Sequence, residues 1–245
     1  MKKILINKGD DFMNFENFLN LPMSNEKAYV LGLLLPKIVI AKEDSDNLYL
    51  IGQINHGHQV KPSDDELLEH HISLKKFLTS KSLNIPIIFN TKLASYSTKT
   101  KTFRKITNIG FALCLELNET ENNSIENLYT EIREKLIEEG DKITEKEAPY
   151  FIAGTIDGRS SIDTTMRWVS LDIDSDNDLN DCLISITKKY ENMDINLNLR
   201  DGRSDSSRMN QLRYKEETIK KFYSSYSSLI FSKFRLKKIE DHIIN

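Results

Sequence analysis

The 245-residue chain has only two cysteines, Cys114 and Cys182. Neither has a C-x-x-C partner, which excludes a disulfide scaffold and a cysteine-based zinc site. Each lies in an apolar stretch, so both are expected to be buried free thiols of a reducing compartment. Long hydrophobic runs are missing too. No window approaches the roughly 18 apolar residues of a membrane span, and the basic start "MKKILINKGDDF" loses its apolar run too early for a secretory signal. A soluble cytoplasmic protein is the expectation. There is no excess of one charge either. The formal net charge is −3, which gives no global sign of nucleic acid and moves attention to local patches. Neither a glycine-rich phosphate loop nor a usable Ser-His-Asp ordering is present, so no small-molecule substrate is expected. The single tryptophan, Trp168, sits in an alternating strand and is expected in the core or on a sheet face.

What the chain does have is apolar sequence, 39% of it, enough to bury a core in one large or two smaller domains. That sequence repeats. "AYVLGLLLPKIVI" (28–40) and "PYFIAGTIDGRSSI" (149–162) share an aromatic, a glycine, an apolar triplet, a turn and a short strand, with Gly32 and Gly154 aligned 122 residues apart. After the first, "KIVIAKED" and "NLYLIGQINHG" alternate as a hairpin, and "SDDELLEHHISLKKFLTSKSL" has helical spacing. "IPIIFNTKLASYS" and "NIGFALCLELN" then form a second strand pair before the helix "SIENLYTEIREKLIEEG". After the second, "SSIDTT" with "RWVSLDID", the helix "DLNDCLISITKKYEN", "DINLNLRD" with "RMNQLRYK", and a closing helix follow in the same order. Each half reads αββαββα. Thr144 and Glu147 are spaced as a capping box at the start of the second motif helix. His56, His58, His70 and His71 raise a zinc site, but no cysteine lies near, and the helix containing "DDELLEHH" accounts for its pair as a polar face.

Duplicated αββαββα units that each open on a glycine-containing apolar helix resemble the LAGLIDADG homing endonucleases and their relatives. Ile152, Ala153, Gly154, Thr155, Ile156 and Asp157 match the first six motif positions well. Val30, Leu31, Gly32, Leu33, Leu34 and Leu35 match them more loosely. The end, "QLRYKEETIKKFYSSYSSLIFSKFRLKKIED", is similar to the family's closing strand, helix and basic tail, so the resemblance covers residues 25–240. It implies an α+β single-chain pseudo-dimer: an extension over 1–24, repeats over 25–142 and 143–245, and a saddle-shaped pair of antiparallel sheets. The motif helices would pack at the pseudo-twofold axis, with Gly32, Ala153 and Gly154 in the seam. It also implies a monomer that cuts double-stranded DNA. One acid per half, just past each motif helix, would share Mg²⁺ for phosphodiester hydrolysis.

Here the sequence departs from the family, because Lys37 and Arg159 stand where the acids belong. A cation cannot ligate Mg²⁺, and two beside a metal repel it. Two readings stay open. In one, the chain is a restriction-like or homing-like endonuclease with a rearranged site. Asp157 then holds the metal, Arg159, Asp163 and Lys37 complete the catalytic group, and Asp172 or Asp174 lies close. In the other, no metal is bound and Lys37 and Arg159 contact a phosphate in a DNA-recognition or regulatory protein. A plainer reading makes Asp157 and Ser160 helix terminators and Arg159 the ion-pair partner of Asp163. A protein-interaction module on the same scaffold is a further class. Local charge favours DNA. Residues 90–105 carry Lys92, Lys99, Lys101, Arg104 and Lys105 with no acid, and the matching stretch of the second half carries Arg200, Arg203, Arg208, Gln211 and Arg213. Read as equivalent hairpins on two arms, these would follow the major groove, with Arg and Gln211 on base edges and Lys on phosphates. Residues 116–147 hold eleven acids against four bases, which places the negative charge on the outer helix and linker.

Overall fold

The computed structural model describes residues 13–43, 47–56, 62–80, 83–118, 124–174, 176–190, 195–198 and 210–245. A short helix, α1 (Phe15–Asn20), leads to α2 (Asn25–Leu34), which starts where Ser24 Oγ accepts the Lys27 N–H at 3.2 Å. Every residue from Glu26 to Leu34 is buried, as expected of a helix that is apolar on all sides. Lys27 lies inside that shell, held by the carbonyls of Leu19 and Leu21, each at 2.7 Å, and by Glu139 at 2.8 Å. The first half continues through β1 (Ile40–Lys42), β2 (Leu48–Asn55), α3 (Asp64–Thr79), β3 (Ile87–Phe89), β4 (Ala94–Ser97), β5 (Thr102–Lys105), β6 (Gly110–Leu117) and α4 (Ile125–Asp141). The second runs α5 (Ala148–Arg159), β7 (Ser160–Asp163), β8 (Trp168–Ile173), α6 (Asn177–Lys189), β9 (Ile195–Asn198), β10 (Asn210–Tyr214), α7 (Glu216–Tyr226) and α8 (Lys233–Ile239). Glu147 does accept the Thr144 N–H, at 3.2 Å, but in the turn ahead of α5, whose regular hydrogen bonding begins at Ala148.

Strand order shows the duplication. The first sheet runs β3-β6-β2-β1-β4-β5 and the second β7-β8-β10-β9. Without β4 and β5 the first order is β1-β2-β6-β3, the same sequence of hairpin, return strand and edge as the second. All pairs are antiparallel, so the chain is α+β with two αββαββα halves, as expected. Where α2 and α5 cross, a Cβ added at Gly32 would overlap the Phe151 carbonyl oxygen, and one at Gly154 would overlap that of Tyr29. The two backbones touch, and only glycine permits it.

The first half departs from expectation in one place. "IPIIFNTKLASYS" is not a single strand: a 3-10 turn over Asn90–Lys92 ends β3, and β4 then pairs with β1 rather than with β6. The β4–β5 hairpin is therefore an addition beyond β1 and not the counterpart of β9–β10. Its stems change the sheet. On one face of the first sheet Leu50 and Ile54 join the main core. On the other, Tyr49, Ile51, Ala112 and Cys114 form a second core closed by Leu93 and Ile106, which are joined by the Ile106 N–H to Leu93 C=O bond at 2.9 Å. Burying those two side chains contributes about 2 kcal/mol each, enough to hold the stems down. The second sheet has no such cover among the described residues. Val169, Leu171, Ile173, Leu212 and Tyr214 face the core, whereas Ser161, Trp168, Asp172, Gln211 and Arg213 on the opposite face are partly or fully exposed.

Cys114 and Cys182 are buried and free, as expected. His70 is not on a polar face. It is 2% exposed, edge-on to Phe111 and 5.9 Å from the ring of His56. Burial, with Arg235 beside both rings, holds His70 well below 6.5 and His56 at about 3; His71, also lowered by burial, is the other titratable neighbour of His70. Folded values below unfolded ones mean that this stability is present above about pH 6.5 and is lost as pH falls toward 3. Thermal melts should shift downward between pH 7 and pH 5, and His70→Leu should flatten that slope. An unaltered slope in the variant contradicts the burial argument. Among the described residues, no helix is long and apolar enough to cross a membrane.

Candidate nucleic-acid interface

The ends of the two crossing helices set the site. α2 stops one turn before Lys37 and α5 stops at Arg159, so the helix crossing carries both cations to one groove. Its cavity is about 850 Å³, lined also by Gln53, Lys99, Lys105, Tyr129 and Asp174. Arg159 donates to the Gln53 side chain, and its Nε is buried without a hydrogen-bond partner. Burial pulls Arg159 down to about 10, leaving it protonated at neutral pH. Lys37 is lowered first by burial and then by Arg159. The two cations therefore repel each other, and an anion between them relieves that repulsion. Asp172 and Asp174 offset part of it. These acids are themselves engaged: Asp174 accepts the Tyr129 hydroxyl at 2.9 Å and Asp172 accepts from Gln211 at 3.4 Å. On the same wall Arg133 forks onto Asp176 at 2.5 and 3.0 Å.

Asp157 is not in the groove. It is fully buried, and its two oxygens accept the Tyr29 hydroxyl at 2.8 Å, the Phe231 N–H at 2.7 Å and the Ser232 N–H at 3.1 Å. Burial pushes its carboxyl up to about 6, against the pull of Arg235 and those three donors. The expected metal ligand is thus an acceptor that fastens the chain ahead of α8 to the end of α5. Arg235, 3% exposed, completes the knot with bonds to the carbonyls of Asp157 at 2.5 Å, Gly158 at 3.1 Å and Asn55. Asp163 is engaged in a turn. Its Oδ1 takes the N–H groups of Thr165 at 3.0 Å and Met166 at 2.9 Å, which shapes the β7–β8 turn and holds its carboxyl below the usual range. Arg159 pairs with Gln53 and not with Asp163. Mg²⁺ is held by carboxylates and water. The saturated, solvent-shut Asp157 and the cations at Lys37 and Arg159 do not fit it. Among the described residues no group of three or more His, Cys, Asp or Glu side chains is placed to hold a metal.

Of the expected DNA contacts, Lys92 lies exposed on the 3-10 turn, and Lys99, Lys101, Arg104 and Lys105 are exposed on the β4–β5 hairpin. Lys101 takes a left-handed φ of 53° at the tip, fixed by its N–H to Ser97 C=O at 2.7 Å, and its Nζ lies 3.6 Å from Glu126. Arg200, Arg203 and Arg208 fall outside the described residues. Gln211 and Arg213 stand side by side on β10, the Arg213 guanidinium 4.2 Å from the Trp168 ring centroid and 3.2 Å from Gln211 Oε1. Gln53 and Tyr129 in the groove and Arg235 behind it were not legible from sequence; each is brought in by a tertiary contact with no local signature.

No protein-family profile matches the chain, and no curated protein matches it. Solved structures similar to it include I-DmoI in complex with DNA and Ca, at 15% identity over 89% of this chain and 98% of that one, with a TM-score of 0.46. I-DmoI in complex with DNA and Mn matches at 13% identity over 82% and 95%, with a TM-score of 0.45. Mesophilic variants of the homing endonuclease I-DmoI match at 15% identity over 85% and 96%, with a TM-score of 0.42. TM-scores below 0.5 add nothing to the geometry of the groove.

Proposed function

We propose that the chain is a monomeric double-stranded DNA-binding protein that recognises DNA without hydrolysing it. The two sheets serve as the arms of a saddle, and the groove at the helix ends seats a backbone phosphate. The observation that carries this reading is the convergence of Lys37 and Arg159 on one groove while Asp157 turns into the core. A phosphate oxygen between two cations gains charge-assisted hydrogen bonds and relieves the repulsion between them. The exposed lysines and arginine of β4–β5 add phosphate contacts, and one chain supplies both halves because its own motif helices pack together.

Fluorescence anisotropy with a mixed-sequence duplex tests the reading. Lys37→Gln and Arg159→Gln should each weaken binding about tenfold, the worth of one hydrogen bond to a charged group, and should lower the salt dependence. Unaltered affinity in both folded variants contradicts it.

A further inference from the structure

The turn after α2 and the end of β8 meet at the groove. The Asp174 N–H donates to the Pro36 carbonyl at 2.9 Å, and the Lys37 N–H donates to the Leu34 carbonyl at 3.3 Å. Asp174 of the second half is thus pinned beside Lys37 of the first by the main chain, and both side chains line the cavity of about 850 Å³. The carboxylate is oriented as well, since its Oδ2 accepts the Tyr129 hydroxyl at 2.9 Å. Arg159, the last residue of α5, lines the same cavity. Burial and then the charge of Arg159 lower Lys37 from the usual lysine range, against the pull of Asp174 and Asp172. That raises the share of neutral amine, the form that attacks carbonyl carbon.

An amine held beside a carboxylate has one kind of target in DNA. Intact nucleotides hold no aldehyde, whereas a deoxyribose that has lost its base opens to one at C1′. Such a nucleotide also lacks stacking and pairing, so it leaves the duplex at little cost. We infer that the groove is a lyase site for abasic deoxyribose in duplex DNA, with Lys37 as nucleophile and Asp174 as base. It rests on the DNA-binding reading above and names a substrate for the same groove. The Lys37 Nζ adds to C1′, and with a proton from solvent the adduct loses water to leave a protonated imine. The Asp174 carboxylate takes a proton from C2′, that electron pair forms the C2′–C3′ double bond, and the C3′–O bond breaks with its electrons passing to the phosphate oxygen. Arg159 holds the departing phosphate. Water then adds to the imine and releases the unsaturated aldehyde, which restores the Lys37 amine, and Asp174 returns its proton to solvent. The strand is broken by elimination and not by hydrolysis, so intact DNA is left whole.

The experiment gives the full chain a duplex with one central abasic site, and the same duplex intact, in chelator, with and without borohydride to reduce any imine to a stable amine. Protein is held where a gel shift shows all of the duplex bound, so that weakened binding cannot pass for lost chemistry. The abasic duplex should give a covalent adduct that maps by mass spectrometry to Lys37 and, without borohydride, a strand break ending in an unsaturated aldehyde. The intact duplex should give neither. Lys37→Arg should lose the adduct, because a guanidinium stays protonated. Asp174→Asn should still form the adduct but break the strand about a hundredfold more slowly, the worth of a positioned base. An adduct on Lys99 or Lys105 in place of Lys37, equal strand scission in Lys37→Arg, or an unaltered rate in Asp174→Asn overturns the lyase site while leaving DNA binding intact. A bound abasic duplex that gives no adduct overturns it as well. Failure to shift any duplex at low salt removes the DNA-binding reading together with it.

Discussion

Gly154→Ala should destabilise the protein by about 3 kcal/mol, at the upper end of what overpacking costs, and should weaken DNA binding in the fraction that stays folded. The new methyl overlaps the Tyr29 carbonyl oxygen, which belongs to the backbone of α2 and cannot rotate aside. Relief requires the two helices to separate, and separation carries Lys37 away from Arg159 because each follows the end of one helix. Gly32→Ala meets Phe151 in the same way from the other side. Gly158→Ala is the control. Its methyl comes closest to Leu33 Cδ2, at 3.1 Å, the far end of a side chain that can give, and meets the Gln53 carbonyl oxygen at an ordinary 3.4 Å, so a cost under about 1 kcal/mol is expected. Equal thermal shifts for Gly154→Ala and Gly158→Ala contradict the close crossing.

Asp157→Ala should cost about 4 kcal/mol, because it strips the acceptor from three buried donors and the counter-charge from a fully buried Arg235. For a chain of this size that is a fall in midpoint temperature of about 10 °C. The loss has a pH signature. The folded carboxyl titrates at about 6, above the 3.8 of the free group, so the folded state is favoured by proton uptake. Its contribution is complete below about pH 3.8 and is lost as pH rises through 6. The gap between wild type and Asp157→Ala should therefore be wider at pH 5 than at pH 8. The buried histidines act in the opposite direction on both proteins and cancel in the comparison. A gap that narrows as the pH falls contradicts the assignment of Asp157 as a buried structural acceptor.

Much of the fold was legible because its strongest signals are local. The Gly32 and Gly154 segments are apolar on all sides, β2 and β8 alternate with period two, and their order repeats. The β4–β5 hairpin was not, since "IPIIFNTKLASYS" reads as one extended run. The break comes at Asn90, which is fully buried and donates to Asn55 at 3.0 Å, a contact across 35 residues. At the site, the sequence grouped Lys37 and Arg159 with Asp157, whereas the structure sets the two cations at the groove and Asp157 in the core. An acid in the last turn of an apolar helix looks the same whether it faces a metal or the N–H groups of Phe231 and Ser232, more than seventy residues onward. Arg235 hid in a tail rich in lysine, although it is 3% exposed and holds three carbonyls.

The most direct measurement is incubation of the protein with a mixed-sequence plasmid in Mg²⁺, in Mn²⁺ and in chelator, with a gel shift at graded salt on the same samples. Intact plasmid in all three, with a shift that weakens steeply as salt rises, is the expected result. Discrete metal-dependent fragments contradict a cation-floored groove that binds without cutting, and the absence of any shift at low salt contradicts DNA binding itself.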